Sequence, residues 1–306
     1  MANFTRFAVC FLLLFSAACS SAPGSHLLNP ALRHTKRMPM PPAKKKVSDL
    51  IQARIAAGDL KEGSVYFHAL NTGYWFGLGE HQKFIPASLL KVYLLIRVLQ
   101  EEESWPGALK SSLKLQDDVR NASQEVLPYE RLVQGRQYTV EELLSHMIVY
   151  SDNSAAYTLH TRFGDKSLEK IYFDFGLQTG GKDETYLTLK QYMMVFLSLY
   201  NGTYIGADLS GRALQFLSDS KFKDGLKAGL PPGLPVAHKF GERGVSTPQG
   251  RLQQLHDCGI IYYGDYPYML GVMTRGDDIK KLAAVIKDVS ALIYSEVDYR
   301  SKEARN

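Results

Sequence analysis

The residues best suited to catalyse a reaction are Ser88 and Lys91. They lie three positions apart in the segment Ile85-Pro86-Ala87-Ser88-Leu89-Leu90-Lys91-Val92. If a helix begins near Ala87, both side chains share one face, and an unprotonated amine can remove the hydroxyl proton during acyl transfer. The stretch from Leu89 to Ile96 is apolar except for Lys91, so we expect it to bury the amine and lower its pKa. The pair therefore predicts a serine nucleophile with a lysine base.

Two further short motifs could complete a site around this pair. Ser151-Asp152-Asn153 lies between two helix-like segments, where a hydroxyl and an amide can point into one cleft. Asp152 could instead only cap the second helix. Lys239-Phe240-Gly241 ends a predicted strand, and a lysine beside a glycine lets a substrate backbone approach the sheet edge while the cation meets its carboxylate.

The Ser-x-x-Lys spacing alone is not specific in this chain. It recurs in polar surroundings typical of solvated helix faces, at Ser111/Lys114, Ser167/Lys170, Ser218/Lys221 and Ser220/Lys223. Only the match at Ser88 precedes a long apolar run, so its context distinguishes it from the others.

The predicted secondary structure follows the order strands, helices, strands, helix. Strands are predicted at Ser64–Ala69 and Tyr74–Gly77, and helical spacing dominates from Ser88 to about Leu217. Further strands are predicted at Pro235–Phe240, Gly259–Tyr263 and Tyr268–Thr274, before a helix at Ile279–Val297. This order predicts an α+β fold, with an antiparallel sheet flanked by helices and an inserted all-α lobe. We expect the sheet lobe at about 47–85 and 218–306 and the helical lobe at about 86–217.

The N-terminal segment predicts export. Arg6, an apolar run from Phe7 to Phe15 and the small residues before Cys19 are typical of a signal peptide over residues 1–19. Ser16-Ala17-Ala18-Cys19 resembles a bacterial lipoprotein cleavage box, although Ser16 stands where leucine is usual. Lipidation of Cys19 and ordinary cleavage are both open, and we expect a periplasmic or cell-envelope protein held by an N-terminal lipid anchor.

Residues 20–46 are rich in proline and basic residues and show no apolar periodicity, so they predict a disordered tether before a domain at 47–306. The net charge of +5 arises from this end of the chain, because seven of the 36 basic residues and none of the 31 acidic ones lie in residues 1–46. The remainder carries a net charge of −2, which argues against binding to nucleic acid.

Cysteine and histidine content argues against a metal site. Cys10 leaves with the signal peptide and Cys19 would carry lipid, so Cys258 stands alone and no disulfide framework is possible. A small buried hydrophobe is the expected role of Cys258, with a catalytic thiol as the alternative. The histidines outside the signal and tether show no ligand spacing. We predict neither a metal nor a cofactor.

The three motifs together resemble those of the penicillin-recognising serine hydrolases, the superfamily of class A β-lactamases and D,D-peptidases, whose marks are Ser-x-x-Lys, Ser-Asp-Asn and Lys-Thr-Gly in that order. They stand here as Ser88-Leu89-Leu90-Lys91, Ser151-Asp152-Asn153 and Lys239-Phe240-Gly241. The likeness covers about residues 60–297 and implies the β-lactamase/transpeptidase-like fold.

The resemblance also implies a role for each matching residue. Ser88 would attack an amide or lactam carbonyl, with Lys91 as its base. Ser151 would relay a proton to the leaving nitrogen, and Lys239 would hold Ser151 and the substrate carboxylate. The remaining roles are in substrate binding: Asn153 would bond the acylamide, Phe240 and Gly241 would line the strand edge, and the backbone N–H groups of Ser88 and Glu242 would form the oxyanion hole.

The chain departs from the family pattern in two places. Class A β-lactamases carry a long Ω loop with a glutamate that aims the hydrolytic water, whereas the segment from Phe173 to Thr188 is short and lacks a Glu-Pro pair. Asp183 or Glu184 could substitute, although acids so close to a helix start commonly favour its dipole. Phe240 replaces a hydroxyl residue that would bond the substrate carboxylate, a role that Arg243 or Arg275 could take over.

The leading hypothesis from the sequence is a monomeric, tethered D,D-peptidase-like enzyme that acts on peptidoglycan stem peptides and is acylated by β-lactams. A β-lactamase that finds its hydrolytic water differently is the alternative of the same class. A non-catalytic lipoprotein that senses wall peptide or a β-lactam is the alternative of another class, and an esterase or amidase on the same scaffold is also open. No Gly-x-Ser-x-Gly, His-Glu-x-x-His or phosphate-binding Gly-Lys-Ser/Thr motif supports another enzyme.

Overall fold

An antiparallel sheet forms the centre of the protein. The computed structural model describes residues 41–116, 131–179, 185–247 and 250–305. The predicted signal peptide, Cys19 and most of the predicted tether lie outside these ranges. The sheet strands within them are β1 (Glu62–Ala69), β2 (Trp75–Leu78), β8 (Val236–Thr247), β9 (Gly250–Ile261) and β10 (Tyr268–Gly276). Their spatial order is β2-β1-β10-β9-β8, so the first and last parts of the domain share one sheet.

Side chains alternate between two apolar clusters on the two faces of this sheet. Val65 and Phe67 of β1 belong to one cluster, while Tyr66 between them belongs to the other. Both faces of the sheet are therefore buried around these residues. One face is covered by the two terminal helices, and the other by the helical lobe.

The terminal helices α1 (Pro41–Ala56) and α8 (Ile279–Arg305) pack against each other on one face of the sheet. Ala43 and Val47 are completely buried there, and the Lys46 and Arg54 side chains form ion pairs with Glu296 and Asp288 of α8. The sequence placed the end of the tether at Lys46, but α1 begins at Pro41. The helix begins before the predicted boundary because the apolar side chain of Ala43 is part of its buried face.

The inserted lobe, in the ranges that the structure describes, consists of six helices: α2 (Lys91–Ser104), α3 (Val140–Val149), α4 (Asn153–Phe163), α5 (Lys166–Asp174), α6 (Leu189–Asn201) and α7 (Ala207–Ser218). Capping boxes begin α3, at Thr139 and Glu142, and α6, at Thr188 and Gln191. Short strands join the helices: β3 (Lys83–Phe84), β4 (Ser112–Lys114), β5 (Gln137–Thr139), β6 (Gln178–Thr179) and β7 (Thr185–Thr188). The predicted α+β arrangement is confirmed.

Strand β8 is longer than the sequence indicates. Glu242-Arg243-Gly244 suggests a turn directly after Gly241, but β8 pairs with β9 from Val236 to Thr247 without interruption. The pairing of β9 along this whole length overrides the weak local preference for a turn. Lys239 therefore lies inside a strand at the sheet edge and not at its end.

None of the helices in the described ranges is long and apolar enough to cross a membrane. The longest of them, α8, carries charged residues along its exposed side and packs its apolar residues against the sheet.

Candidate active site

Ser88 lies in a 3-10 turn, Ala87–Leu90, that leads directly into α2. In such a turn, side chains three residues apart eclipse each other, which places Ser88 and Lys91 on one side as predicted. Ala87 has a φ of +49°, a left-handed conformation that a residue with a Cβ seldom adopts. Leu89 anchors the turn, because its side chain is fully buried and its carbonyl accepts a hydrogen bond of 3.2 Å from the Tyr192 hydroxyl. The strained backbone beside Ser88 is thus fixed by packing.

Lys91, the first residue of α2, is buried with 7% of its surface exposed. Its amine donates to the Ser151 backbone carbonyl, to Ser151 Oγ at 3.2 Å and to Asn153 Oδ1 at 2.7 Å. The first two predicted motifs are therefore in direct contact.

Ser151-Asp152-Asn153 forms the junction between α3 and α4, as the sequence predicts. Ser151 has a φ of +59°, so a second strained residue lies at the site. Asp152 caps α4 by accepting a hydrogen bond of 2.8 Å from the Ala155 N–H, and its own N–H donates to the His146 carbonyl. Asp152 therefore caps α4 while its neighbours Ser151 and Asn153 contact Lys91.

Lys239 of β8 is completely buried and brings the third motif to the same hydroxyl. Its amine donates to Ser151 Oγ at 2.9 Å and to the Phe240 carbonyl at 2.8 Å. Burial, reinforced by the nearby charge of Lys91, holds the pKa of Lys239 well below its usual range, and the carboxylates of Asp257 and Glu242 oppose this shift only in part. Ser151 Oγ therefore lies between two amines, one from each lobe.

Gly241 lets β8 pass close to the turn that carries Ser88. A Cβ atom at residue 241 would lie 2.9 Å from the Pro86 carbonyl oxygen and 3.2 Å from the Leu89 nitrogen. Both are backbone atoms that cannot move aside independently. The glycine thus sets the distance between the strand edge, including Glu242, and the Ser88 turn.

Phe240 lies in the buried layer next to this strand edge. Its side chain is 1% exposed and stacks on Phe222 with ring centroids 4.2 Å apart. The Lys239 amine lies 4.2 Å from the centre of the same ring. Contact between the Phe240 ring and a substrate stays a prediction. Of the two arginines considered for the substrate carboxylate, Arg275 pairs with Glu62 and Arg243 is exposed on β8.

A buried pair behind Lys239 was not foreseen from the sequence. His238 Nδ1 and Asp257 Oδ1 are 2.7 Å apart, and both side chains have no exposed surface. The second oxygen of Asp257 accepts a hydrogen bond of 2.8 Å from the Leu226 N–H. The pair fixes the 3-10 turn Leu226–Gly229 to the sheet and places a carboxylate near Lys239. Only the register of β8 on β9 brings these residues together, and no sequence motif signals it.

His256 provides a second buried support near Ser88. Its Nδ1 accepts a hydrogen bond from the Thr274 N–H at 3.3 Å, so Nε2 carries the proton and donates to the Ile85 carbonyl at 3.1 Å. Burial lowers the pKa of His256 to about 4, so the ring is neutral near pH 7. The bond connects β9 to the chain three residues before Ser88.

A groove opens beside Lys91 between α2, α4 and α5, with a volume of about 450 Å³. Leu90, Lys91 and Leu94 line one side of it. Asn153, Ala156, Tyr157 and His160 of α4 line another side, and Tyr172 of α5 completes it. No aspartate or glutamate is among these described residues. Asp183 and Glu184, the two predicted substitutes for an Ω-loop base, lie outside the described residues.

The part of the chain that the structure describes contains no cluster of three or more histidine, cysteine, aspartate or glutamate side chains that could hold a metal ion. Cys258 is completely buried, and burial raises the pKa of its thiol well above the usual range. A thiol in this state is a poor nucleophile.

Comparison with known proteins identifies one matching family and several solved structures with a similar fold. A profile of the Beta-lactamase enzyme family matches residues 42–297. The solved structure of PBP-A has a TM-score of 0.72 and 20% identity over 87% of this chain and 99% of PBP-A. A β-lactamase from Xanthomonas campestris pv. campestris str. ATCC 33913 has a TM-score of 0.71 and 19% identity over 83% of this chain and 98% of its own. A class A β-lactamase from Mycobacterium abscessus has a TM-score of 0.68 and 20% identity over the same shares. No match was found among curated protein sequences.

Proposed function

The chain belongs to the beta-lactamase enzyme family, and from that premise we propose that it is a serine acyl-enzyme hydrolase of the D,D-peptidase type. Its substrates are the D-alanine-ended or cross-linked stem peptides of peptidoglycan, and β-lactams acylate it. One observation carries the assignment of the active residues. The Ser151 hydroxyl lies 3.2 Å from the Lys91 amine and 2.9 Å from the Lys239 amine, beside the turn that carries Ser88.

The proposed acylation uses these contacts. An unprotonated Lys91 takes the proton of the Ser88 hydroxyl while the Ser88 oxygen bonds to the substrate carbonyl carbon. The backbone N–H groups of Ser88 and Glu242 stabilise the resulting oxyanion. The carbon–nitrogen bond then breaks, and the proton passes from Lys91 through Ser151 Oγ to the leaving nitrogen. Lys239, bonded to the same oxygen, keeps the relay hydroxyl in position. Water later releases the acyl group and restores the Ser88 hydroxyl.

The short segment from Phe173 to Thr188, which lacks a Glu-Pro pair, favours a peptidase over a β-lactamase. A β-lactamase needs a base that aims water at the acyl-enzyme, and no carboxylate is among the described groove residues. Slow deacylation after β-lactam binding is expected from this arrangement. A mutant of PBP-A has been solved as an acyl-enzyme complex with penicillin G.

The location of the enzyme belongs to the same proposal. The signal-like segment at residues 1–19 and the basic segment after Cys19 support export and attachment to a membrane near its substrate, by a lipid on Cys19. We expect the enzyme to act as a monomer, since the helices and strands of both lobes complete the site within one chain.

The test is intact-mass spectrometry of the chain mixed with benzylpenicillin and followed over time. We expect an adduct that lasts many minutes in the unaltered protein and is absent in Ser88→Ala. Ser167→Ala is the matched control, because Ser167 is an exposed serine with the same spacing to Lys170. Rapid loss of the adduct with accumulation of penicilloate would instead establish a β-lactamase. The absence of any adduct would favour the non-catalytic wall-peptide sensor.

A further inference from the structure

A buried negative charge lies behind Lys239. His238 and Asp257 have no exposed surface, and the Asp257 carboxylate accepts hydrogen bonds from His238 Nδ1 at 2.7 Å and from the Leu226 N–H at 2.8 Å. Among the described residues, the buried His238 Nε2 atom has no hydrogen-bond partner, so the ring proton is on Nδ1 and the ring is neutral. The pair as a whole therefore carries one negative charge inside the protein.

Two glycines make room for this pair. Residue 259 lies opposite His238 in the pairing of β8 with β9, and a Cβ atom there would lie 2.5 Å from the His238 Cβ. A Cβ atom at residue 225 would collide with the Asp257 carboxylate itself. Glycine at both positions thus lets the backbone enclose the carboxylate and keep it from solvent.

Lys239 is the amine that this charge can support. It is completely buried, and both of its hydrogen bonds described above are to neutral oxygens. A buried ammonium group without a compensating negative charge is strongly disfavoured. The carboxylates of Asp257 and Glu242 act on Lys239 in this sense, because both raise its pKa. Of the two, only Asp257 is completely buried, so water screens its field less.

Three other titratable groups lie near Asp257. Burial raises the pKa of the Cys258 thiol and of the Tyr192 phenol well above their usual ranges, so both are neutral at physiological pH. The Lys227 amine donates to the Ser220 carbonyl at 2.8 Å, in the segment that precedes β8. Of the amines near Asp257, Lys239 is the one that contacts the relay hydroxyl.

We propose that the Asp257 carboxylate, oriented by His238, keeps the Lys239 amine protonated during acyl transfer. The proposal rests on the function proposed above and adds two positioning residues that touch neither the substrate nor the reacting atoms. A protonated Lys239 can only donate to Ser151 Oγ, so the proton of the relay hydroxyl stays available for the leaving nitrogen. A neutral amine at this place can accept that proton instead, which would interrupt the relay.

The test is the pH dependence of acylation by benzylpenicillin, measured on the full chain as the second-order rate constant of adduct formation. We expect the rate to fall at alkaline pH, where Lys239 loses its proton. In Asp257→Asn, which retains the shape of the side chain, this alkaline limb should move to lower pH by about one unit or more, because loss of an opposite charge lowers the pKa of an amine. A merely structural role would lower the rate by the same factor at every pH.

Three further variants separate charge from packing. His238→Gln can still donate to the Asp257 carboxylate, so it should leave the alkaline limb in place. Asp224→Asn is the matched control, because Asp224 is exposed and directly precedes Gly225. It should leave the limb in place as well. Lys239→Arg, whose guanidinium stays charged, should abolish the limb and thereby assign it to Lys239.

An alkaline limb at the same pH in Asp257→Asn and in the unaltered chain would overturn the proposal, as would the absence of any alkaline limb in the unaltered chain. The second result does not depend on the folding of the variants, which urea midpoints monitor. The proposed function is judged separately, by the Ser88-dependent adduct in the unaltered chain. A chain that forms this adduct but shows no shift in Asp257→Asn would retain the function and lose the positioning pair.

Discussion

At the scale of single residues, the central feature is a hydroxyl held between two amines. Ser151 Oγ contacts Lys91 of the helical lobe and Lys239 of the sheet, and Ser151 itself has a left-handed backbone. This backbone conformation is sterically unfavourable for serine, and such strain is typical of functional sites. In the proposed mechanism this hydroxyl is the proton relay, and it lies where the two lobes meet.

Replacing Ser151 by alanine tests that relay. We expect Ser151→Ala to slow acylation of Ser88 by benzylpenicillin about 10²- to 10⁴-fold, the usual contribution of a positioned proton-transfer group. The measurement is the second-order rate constant of adduct formation. Ser198→Ala is the control, because the Ser198 hydroxyl donates to a backbone carbonyl, that of Val195, but lies in α6. A rate in Ser151→Ala equal to that of the control would remove Ser151 from the mechanism.

A second prediction at this scale concerns the packing role of Phe240, whose ring is buried. Phe240→Thr restores the family hydroxyl but empties the space against Phe222, so we expect unfolding to become easier by about 3–5 kcal/mol. Urea denaturation measures this free energy. Val245→Thr on the same strand, at a position 38% exposed, should change it by about 0.5 kcal/mol or less. A stable Phe240→Thr protein would contradict the packing role of the ring.

At the scale of elements, β8 and the Ser88 turn must lie at a fixed separation for the proposed oxyanion site to form. Gly241→Ala adds a Cβ 2.9 Å from the Pro86 carbonyl and should push the strand away. We expect acylation to fall about 10²-fold or more, because loss of a single oxyanion donor has that effect. The rate of adduct formation and the urea midpoint are both measured.

Gly244→Ala is the matched control on the same strand. Its new Cβ would meet the end of the Arg251 side chain at 3.1 Å, and a flexible guanidinium can move aside. We therefore expect nearly unchanged acylation in Gly244→Ala. Equal losses in both variants would show that β8 tolerates no added side chain anywhere and would remove the special role of residue 241.

Secondary-structure elements can be predicted from the sequence where local sequence patterns determine them. Ser151-Asp152-Asn153 lies at the predicted helix junction and Lys239 on the predicted strand, because apolar periodicity and capping residues mark those elements. Ser88 was expected at a helix start and lies in a 3-10 turn directly before α2. The extension of β8 to Thr247 and the His238–Asp257 pair were not predictable, because both depend on the register of β8 on β9. The bond from Lys91 to Asn153 likewise joins residues 62 positions apart.

At the scale of the whole molecule, buried ionisable groups make stability depend on pH. His256 has a pKa of about 4 in the folded protein and an ordinary value of 6.5 when unfolded. As the pH falls from 6.5 towards 4, the unfolded chain binds the proton first, so the folded state loses stability. The full difference corresponds to about 3 kcal/mol.

His256→Gln tests this contribution, because glutamine can still donate to the Ile85 carbonyl but does not titrate. We expect the free energy of unfolding in urea to fall less between about pH 7 and about pH 5 in this variant than in the unaltered protein. His81→Gln, at an exposed position, should retain the full decrease. A decrease in His256→Gln as large as in the control would mean that other groups, such as the partly buried His68, dominate the acid response.

The pairing of α1 with α8 has a mechanical consequence for the attachment through Cys19 proposed above. Lys46 meets Glu296 and Arg54 meets Asp288, so the two helices run in opposite directions and a pull on residue 41 acts first on the helix pair. Such a pull would peel α1 from α8 turn by turn, while β1, which begins only at Glu62, keeps its hydrogen bonds to β10. Under the proposed attachment, the helix pair would yield to a load before the sheet that carries Lys239.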